Sequence, residues 1–267
     1  MVFDASVPNA ARVYDFFLAG KDNFAADREL AQKILAVLPD TAVVCRDNRE
    51  FLQRSVRFLA GEAGIRQFLD IGTGLPTMGN VHQIAQETAS DSRVAYVDYD
   101  PVVLSHARAL LANDRDVIVV EGDLRAPEAI LADADVRQLI DFSQPVAVLM
   151  LAILHIIPDD ADPAGCVARL RDALAPGSYL AISHADVSPA HSVGTKRLTE
   201  VAREIAGTLK GVERVPSRTR DEIAGFFDGL TLVEPGLTDV SAWRPEGDTV
   251  VPENEYMRMI GGVARKD

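Results

Sequence analysis

A glycine-rich turn follows an apolar run in the first third of the chain. The run ends at Asp70, and the turn contains Gly72, Thr73 and Gly74. Glycines let the backbone come close to a ligand, and the amides of such a turn and of the next helix point towards it. These residue types predict a loop that binds a nucleotide, and the carboxylate of Asp70 favours a ligand that carries an ammonium group.

Two further acids follow later apolar runs. Asp98 stands at the end of the second run, where a carboxylate can accept two hydrogen bonds from vicinal ribose hydroxyls. Asp123 follows the third run and can accept a hydrogen bond from the exocyclic amine of adenine. Because the carboxyl ends of parallel strands meet at one edge of a sheet, we expect these acids and Asp70 to face a single crevice.

The elements that position these residues alternate between short apolar runs and helical stretches. Unbroken apolar runs of this kind are typical of strands that are buried on both faces, so the pattern predicts a parallel sheet with crossover helices. The predicted strands are Gln67 to Ile71, Arg93 to Val97, Val117 to Val120, Val146 to Leu151 and Tyr179 to Ser183. The predicted helices between them are about 78–89, 101–113, 126–140 and 163–174.

The first 64 residues form a separate helical segment in this interpretation. Apolar residues recur at spacings of three and four, with breaks at Gly20 and Pro39, and a third helix is expected from about Val44 to Ala63. One hypothesis makes this segment a lid over the ligand, in which Tyr14 contacts the ligand while Phe17 and Phe24 exclude water. The alternative is that its polar residues, Lys21, Asp22 and Asn23, only cap helices and face solvent.

Residues 65–267 are expected to form the α/β domain. Thr231 to Val233 and Tyr256 to Val263 are candidate last strands, and a helical insertion is expected at about 185–229. The insertion is locally basic, which indicates either a solvated helix face or a site for an anionic group of a substrate. Its basic residues are Lys196, Arg197, Arg203, Lys210, Arg214, Arg218 and Arg220.

The overall charge limits the choice of partners. The formal net charge of −13 would repel a phosphate backbone, which argues against nucleic acid. No apolar run approaches the roughly 20 residues that span a bilayer, and the N-terminus does not read as a signal peptide, so the prediction is a cytoplasmic protein without a membrane partner. Cys45 and Cys166 show no zinc-ligand spacing and are expected to be inert core thiols, so no metal is predicted.

The sequence resembles the class I methyltransferases, which use S-adenosyl-L-methionine. The resemblance rests on DIGTG as the glycine loop, VDYDP as the ribose segment and EGD as the adenine segment, over roughly residues 66–184. The N-terminal stretches ARVYD, GKDNF and DR look like an actinobacterial family of such enzymes, which extends the resemblance over nearly the whole chain. It implies a Rossmann-like α/β sandwich with a mostly parallel seven-stranded sheet and an N-terminal helical extension. The expected cofactor residues are Asp70, Gly72, Thr73, Gly74, Asp98, Tyr99, Asp123, Leu124, Ala152 and Tyr14.

Two other functions stay open at this level. An NAD-dependent oxidoreductase is disfavoured because Thr77 stands where the third glycine of a dinucleotide fingerprint belongs and because Asp70 would repel a pyrophosphate. A protein that binds S-adenosylmethionine without turnover is also open, since methyl transfer needs chiefly alignment and no catalytic residue is obligatory. His155 and His184 are the candidate bases, although a histidine in an apolar run is often structural.

The acceptor substrate is expected to be a small molecule. Leu151 to Leu154 follow the fourth strand in place of an NPPY-type motif, which argues against methylation of DNA bases or glutamine amides. Whether O, N or C is methylated is not decided by the sequence. A homodimer is compatible with it.

Overall fold

The computed structural model describes residues 4–76, 79–111, 114–186, 208, 218–247 and 257–267. Three helices come first, as the spacing predicts: α1 (Ala10–Phe17), α2 (Ala25–Val37) and α3 (Thr41–Arg57), the last extended by a π-helical turn at Phe58–Glu62. The side chain of Asn9 caps α1 by accepting hydrogen bonds from the amides of Ala11 and Arg12.

The break after α1 is held by a buried carboxylate. Asp15 accepts hydrogen bonds from the amide of Asp22 at 3.0 Å and from the side-chain amide of Asn23 at 2.8 Å. A Cβ on Gly20 would lie 1.9 Å from Oδ1 of Asp15, so the chain can turn this closely around the carboxylate only with glycine at that position.

Five parallel strands form the centre of the sheet, and their positions confirm the predicted runs. They are β1 (Gln67–Ile71), β2 (Arg93–Asp98), β3 (Val117–Glu121), β4 (Ala147–Leu151) and β5 (Tyr179–Asp186). Three further strands complete the sheet: β6 (Thr231–Leu232), β7 (Thr238–Asp239) and β8 (Arg258–Arg265). Strand β8 is antiparallel to β5 and to both β6 and β7. The strand order is β3-β2-β1-β4-β5-β8-β6, with β7 also paired to β8.

The sheet has the Rossmann-like architecture that the sequence predicts, but the number of strands at its β8 edge differs from the prediction. The sequence predicts seven strands, whereas eight are present in the described chain. Because β5 occupies one edge of β8, both β6 and β7 lie along the other edge, separated by the turn at Pro235 and Gly236. The seventh position of the sheet is therefore filled by one interrupted edge strand.

Helices cover both faces of the sheet, and alternate residues of each strand point to opposite faces. In β1, Phe68 packs on the side of α3, whereas Leu69 and Ile71 pack on the opposite side. The remaining helices are α4 (Val81–Thr88), α5 (Pro101–Leu111), α6 (Pro127–Ala132), α7 (Ala134–Leu139), α8 (Pro163–Ala173) and α9 (Arg220–Gly225).

Two predicted bounds are corrected by local interactions. The single helix expected at about 126–140 is two short helices, because Asp133 has an extended backbone and accepts hydrogen bonds from the amides of Asp135 and Val136 at the start of α7. Strand β5 runs on past Ser183 to Asp186, because β8 pairs with it over these extra residues.

The predicted insertion lies mostly outside the described residues, including Lys196, Arg197, Arg203, Lys210 and Arg214. Within the part of the insertion that the structure describes, Arg220–Gly225 form α9, and Ala185 and Asp186 belong to β5. No helix in the described ranges combines the length and hydropathy needed to cross a membrane.

Candidate functional site

A crevice opens at the carboxyl edge of the sheet, where the chain leaves β1 and β4 in opposite directions. Ligands bind at such a switch point in open α/β sheets. The two loops touch here: Gly72 has a φ of 75°, and a Cβ on it would lie 2.2 Å from Cδ1 of Ile153. Glycine is therefore required both for the left-handed backbone and for the close approach of the loop after β4.

Two adjoining cavities occupy the crevice. The larger has a volume of about 250 Å³ and the smaller about 40 Å³. Both are lined by Gly72, Asp98, Tyr99, Ile153 and Ile156, so they form one continuous site. The predicted residues that line the larger cavity are Tyr14, Asp70, Gly72, Thr73, Gly74, Asp98, Tyr99, Ala152 and His155. Asp123 and Leu124 line the smaller cavity.

The carboxylate of Asp70 is buried at the end of β1 on the face covered by α3. Its pKa is raised to about 7, chiefly by burial; the charge of Arg49 lowers the pKa and the nearby charge of Asp98 raises it. No hydrogen bond from the described residues reaches this carboxylate. A buried acid that borders a cavity without a protein donor is suited to a cationic ligand, which would stabilise its charged form.

Asp98 organises the glycine loop from the end of β2. Its Oδ2 accepts a hydrogen bond from the amide of Gly74 at 2.9 Å, and its Oδ1 accepts one from the amide of Asp100 at 2.9 Å. Burial raises the pKa of Asp98, although these backbone hydrogen bonds lower it. Each carboxylate oxygen has a second lone pair, so Asp98 can still accept hydrogen bonds from a ligand.

Asp123 faces the smaller cavity together with a cation that the sequence does not flag. Arg125 donates from Nε to both carboxylate oxygens of Asp123, at 3.0 and 2.9 Å. Burial raises the pKa of Asp123, but the hydrogen bonds and charge of Arg125 outweigh this and lower it overall. A ligand amine would therefore share the Asp123 carboxylate with Arg125, beside the buried side chain of Leu124.

The wall after β4 contains a strained residue. Ala152 has a φ of 54°, a backbone conformation that residues other than glycine rarely adopt. Its amide donates a hydrogen bond to Oγ of Ser183 in β5 at 2.9 Å, which helps to hold this conformation. Such strain is often found where a loop must present its backbone to a ligand.

The two candidate bases occupy different environments. His155 borders the larger cavity, and its pKa is lowered to about 3 by burial and by the nearby His184 and Arg218. His184 lies in the middle of the extended β5, fully buried and outside both cavities. The expectation that His184 faces the crevice is therefore not met, because β8 carries β5 beyond the sheet edge.

Both ring nitrogens of His184 have protein partners. Nη1 of Arg218 lies 3.1 Å from Nε2, so Nε2 must accept, and Nδ1 lies 2.8 Å from the carbonyl of Ala185, to which it donates. Arg218 also donates to the carbonyls of Leu154 and Ile157 at 2.6 and 2.7 Å. Arg218 therefore holds the loop after β4 in place and is not available to an anionic substrate, as the basic-insertion hypothesis would require.

Arg220 also has a structural role. Its guanidinium donates a hydrogen bond to the carbonyl of Leu237. Neither of the two described arginines of the basic insertion lines the cavities.

The N-terminal helices form part of the cavity wall. The hydroxyl of Tyr14 donates to the carbonyl of Cys45 at 3.0 Å and accepts from the side-chain amide of Asn48 at 2.9 Å, which pins α1 to α3. Phe17 lines the cavity as expected. Phe24, which was expected to exclude water, instead lies on the surface with 37% of its area exposed, and the Arg12 guanidinium stacks on it.

Two polar residues of the site have no counterpart in the sequence predictions. Arg49 on α3 lines the cavity near Asp70 and donates to Oδ1 of Asn80 at 3.2 Å. The side chain of Asn9 lines the same cavity and donates to Oδ2 of Asp100 at 2.7 Å. Cys45, Asn48, Arg49 and Leu52 all line it at helical spacing, so polar residues within a buried stripe of α3 were the available signal.

Comparison with known proteins agrees with this geometry. The S-adenosyl methyltransferase family matches residues 1–267, which is the whole chain. Among curated proteins nothing matches. An O-methyltransferase family protein from Burkholderia thailandensis is 14% identical, with a TM-score of 0.52 over 95% of this chain and 64% of that one, and this likeness concerns the fold alone.

Two solved structures from actinobacteria are much more similar. A candidate methyltransferase from Thermobifida fusca YX is 43% identical, with a TM-score of 0.88 over 99% of this chain and 97% of that one. A DUF574 family protein from Streptomyces avermitilis MA-4680 is 41% identical, with a TM-score of 0.89 over 99% of both chains. Neither alternative function finds support in these matches. The chain belongs to the S-adenosyl methyltransferase family and is a methyltransferase that uses S-adenosyl-L-methionine.

Proposed function

We propose that the protein methylates a small molecule and that the crevice at the carboxyl edge of β1 to β4 holds both the cofactor and that molecule. One observation carries the proposal: three acids from three successive strand ends, Asp70, Asp98 and Asp123, line one continuous site. When bound, the cofactor supplies an activated methyl group on a sulfonium. The residues of this chain have to bind, orient and desolvate the reactants.

Asp70 and Arg49 are suited to the amino-acid end of the cofactor. The buried carboxylate of Asp70 has no described donor and would bind the ammonium group, while Arg49, from the facing helix, would bind the carboxylate. The amides of the glycine loop add donors at this end. Gly72 and Gly74 both have positive φ, which lets the loop backbone come close to the ligand.

Asp98 and the smaller cavity are suited to the nucleoside end. Asp98 would accept hydrogen bonds from the ribose hydroxyls while it holds the amide of Gly74. The adenine ring would lie in the smaller cavity between Leu124 and Ile153, with its amine towards Asp123. Tyr99, which lines both cavities, would then lie between ribose and base.

The N-terminal segment acts as a cover in this proposal. Helix α1 lines the larger cavity, and Asn9 links its start to Asp100 in the turn that follows Asp98. Tyr14 contributes its ring to the wall, since its hydroxyl is engaged by α3. Residues 1–64 would thus complete the site that residues 65–267 begin.

Of the two candidate histidines, only His155 borders the site. His155 borders the cavity, but its lowered pKa of about 3 makes it a weak proton acceptor. We therefore propose that alignment of the acceptor, and not proton abstraction by His155, dominates catalysis. A small-molecule acceptor is favoured by the largely apolar lining of the cavity and by the net charge of −13, which disfavours nucleic acid. A cytoplasmic location and a homodimer stay predictions, which cell fractionation and light scattering test.

Calorimetric titration with S-adenosylmethionine, S-adenosylhomocysteine and NAD tests the assignment of the site. We expect the two adenosyl ligands to bind and NAD not to bind. Asp98→Asn should weaken binding of the adenosyl ligands at least tenfold, because the negative charge is lost and one acceptor oxygen becomes an NH2 group that cannot accept a hydrogen bond. Asp91→Asn is the matched control, since Asp91 makes only an exposed ion pair with Arg66. Equal affinities of the Asp98→Asn variant and the unaltered protein would reject this site.

A further inference from the structure

A hydrophobic cluster formed by the first three helices opens onto the larger cavity. Its members pack against one another between α1, α2 and the start of α3, and several of them also border the cavity. The cavity is thus polar at the end formed by the strand termini and apolar at the other. The side chains of the cluster that line the apolar end include Val13, Phe17, Ile34, Leu38 and Met257.

The charged residues of the cavity wall are engaged away from this apolar end. In the described chain, the wall contains only four charged side chains: Asp15, Arg49, Asp70 and Asp98. Asp15 is buried and holds the break after α1. The other three belong to the polar end, where Arg49 and Asp98 already have protein partners. The apolar end therefore has no free charge to neutralise a charged ligand.

Two side chains of the cavity wall have a buried polar atom without a partner in the described chain: Oδ1 of Asn48 and Nδ1 of His155. The ring of His155 borders the cavity, and neither of its nitrogens has a hydrogen-bond partner among the described residues; Nδ1 is buried, so the side of the ring that carries Nε2 is the one open to a ligand. The neighbouring ring of His184, 5.7 Å away between centroids, cannot serve because both of its nitrogens are engaged. Polar groups inside a protein normally have a hydrogen-bond partner, so one that lacks a partner beside a cavity points to a ligand that supplies it.

We propose that the apolar end of the cavity binds an uncharged, largely apolar acceptor molecule whose hydroxyl or amine forms a hydrogen bond with His155. This inference rests on the proposed function, since it assigns the part of the cavity that the cofactor leaves free. Among the described residues, the apolar end offers no free cation to an anionic acceptor and no carboxylate to a cationic one, because Asp70 and Asp98 lie at the polar end. Apolar walls with one directional polar contact are typical of sites for small organic molecules.

The test uses 2-naphthol and 2-naphthoate, which share a ring system but differ in charge at neutral pH. Each is titrated into the full-length protein saturated with S-adenosylhomocysteine, whose own binding is measured first. We expect 2-naphthol to bind at least tenfold more tightly than 2-naphthoate. Equal or tighter binding of 2-naphthoate, or no binding of 2-naphthol, overturns the inference. Failure of S-adenosylhomocysteine to bind would instead contradict the proposed function.

Two variants locate the probe. Met257→Glu places a charge at the apolar end and should lower the affinity for 2-naphthol at least tenfold, with a much smaller effect on S-adenosylhomocysteine. Leu232→Glu is its control, because Leu232 is exposed on edge strand β6 and lines neither cavity. His155→Phe keeps the ring but removes the hydrogen bond, and should lower the affinity severalfold. If both site variants fold and bind 2-naphthol like the unaltered protein, the proposed location is wrong.

Discussion

The two ends of the cavity are built in different ways. The polar end comes from residues at or just after the ends of β1, β2 and β3, together with Arg49 from α3. The apolar end comes from the packing of α1, α2 and α3 against one another and against Met257, which follows much later in the sequence. Chemistry at the first end depends on local backbone geometry, whereas shape at the second depends on tertiary packing.

This difference implies that substitutions at the two ends affect different properties of the protein. A change at the apolar end removes packing from a cluster that also stabilises the N-terminal helices, so stability should respond first. A change at the polar end disturbs a loop whose residues make few packing contacts, so ligand affinity should respond first.

The largest effect is expected for Phe17→Ala. Phe17 is buried in the hydrophobic cluster of the first three helices and packs edge to face on Phe16, with ring centroids 6.2 Å apart. Removing the ring should lower the free energy of unfolding by about 3 kcal/mol, measured by urea denaturation, and leave S-adenosylhomocysteine affinity within about threefold. Phe24→Ala is the control, because Phe24 is exposed, and should cost under about 1 kcal/mol. If Phe17→Ala loses much of its ligand affinity but none of its stability, the prediction that stability responds first at the apolar end is wrong.

Gly72→Ala should produce the opposite pattern. The new Cβ would lie 2.2 Å from Ile153, in a backbone conformation with φ of 75° that alanine disfavours, so the loop must move. We expect affinity for S-adenosylhomocysteine to fall about a hundredfold, which corresponds to about 3 kcal/mol.

Gly64→Ala separates strain from site geometry. Gly64 has a similar φ of 71°, but a Cβ there would meet no atom within 4 Å. This variant should lose about 1 kcal/mol of stability and keep its affinity for the ligand. If Gly64→Ala weakens binding as much as Gly72→Ala does, general strain and not the loop geometry is responsible.

Features set by local sequence patterns could be predicted from the sequence, whereas features set by tertiary packing could not. Strands β1, β2, β4 and β5 are buried on both faces and the edge strand β3 is also apolar, so their runs are visible in the chain, and the acids near the ends of β1 and β2 and just after β3 could be placed with them. His184 and the break at Asp133 could not be placed correctly, because the first depends on pairing with β8, 74 or more residues further along, and the second on one side-chain cap. The position of Arg49 near Asp70 depends on how α3 docks on the sheet, which the polar residues in the buried stripe of α3 do not show by themselves.

The pH dependence of cofactor binding tests the charge state at the polar end. The pKa of Asp70 is raised from 3.8 to about 7, so its carboxyl group is mostly protonated at pH 6 in the free protein. An ammonium group favours the ionised form, so binding at pH 6 must release a proton. We expect S-adenosylhomocysteine to bind about tenfold more weakly at pH 6 than at pH 8, and calorimetry in buffers of different ionisation enthalpy to show proton release at pH 6.

The same titration has a consequence for the ligand-free protein. Because the folded-state pKa of Asp70 lies above its unfolded value, Asp70 favours the folded state most below pH 4, and this contribution is lost as the pH rises to about 7. Asp70→Asn should remove the pH dependence of binding along with most of the affinity. A variant that keeps the tenfold change would show that another group titrates.

The smallest effect is expected where the two ends are joined. Asn9 caps α1 through Oδ1 and donates from Nδ2 to Asp100, so one side chain connects the N-terminal helices to the turn after β2. Asn9→Ser keeps a good helix cap but is too short to reach Asp100, whereas Asn9→Ala removes both interactions. We expect Asn9→Ala to lose about 1 kcal/mol of stability and Asn9→Ser much less, while both bind S-adenosylhomocysteine about threefold more weakly. If Asn9→Ser has the stability and the affinity of the unaltered protein, the N-terminal segment covers the site without being coupled to it, and the two ends of the cavity are independent.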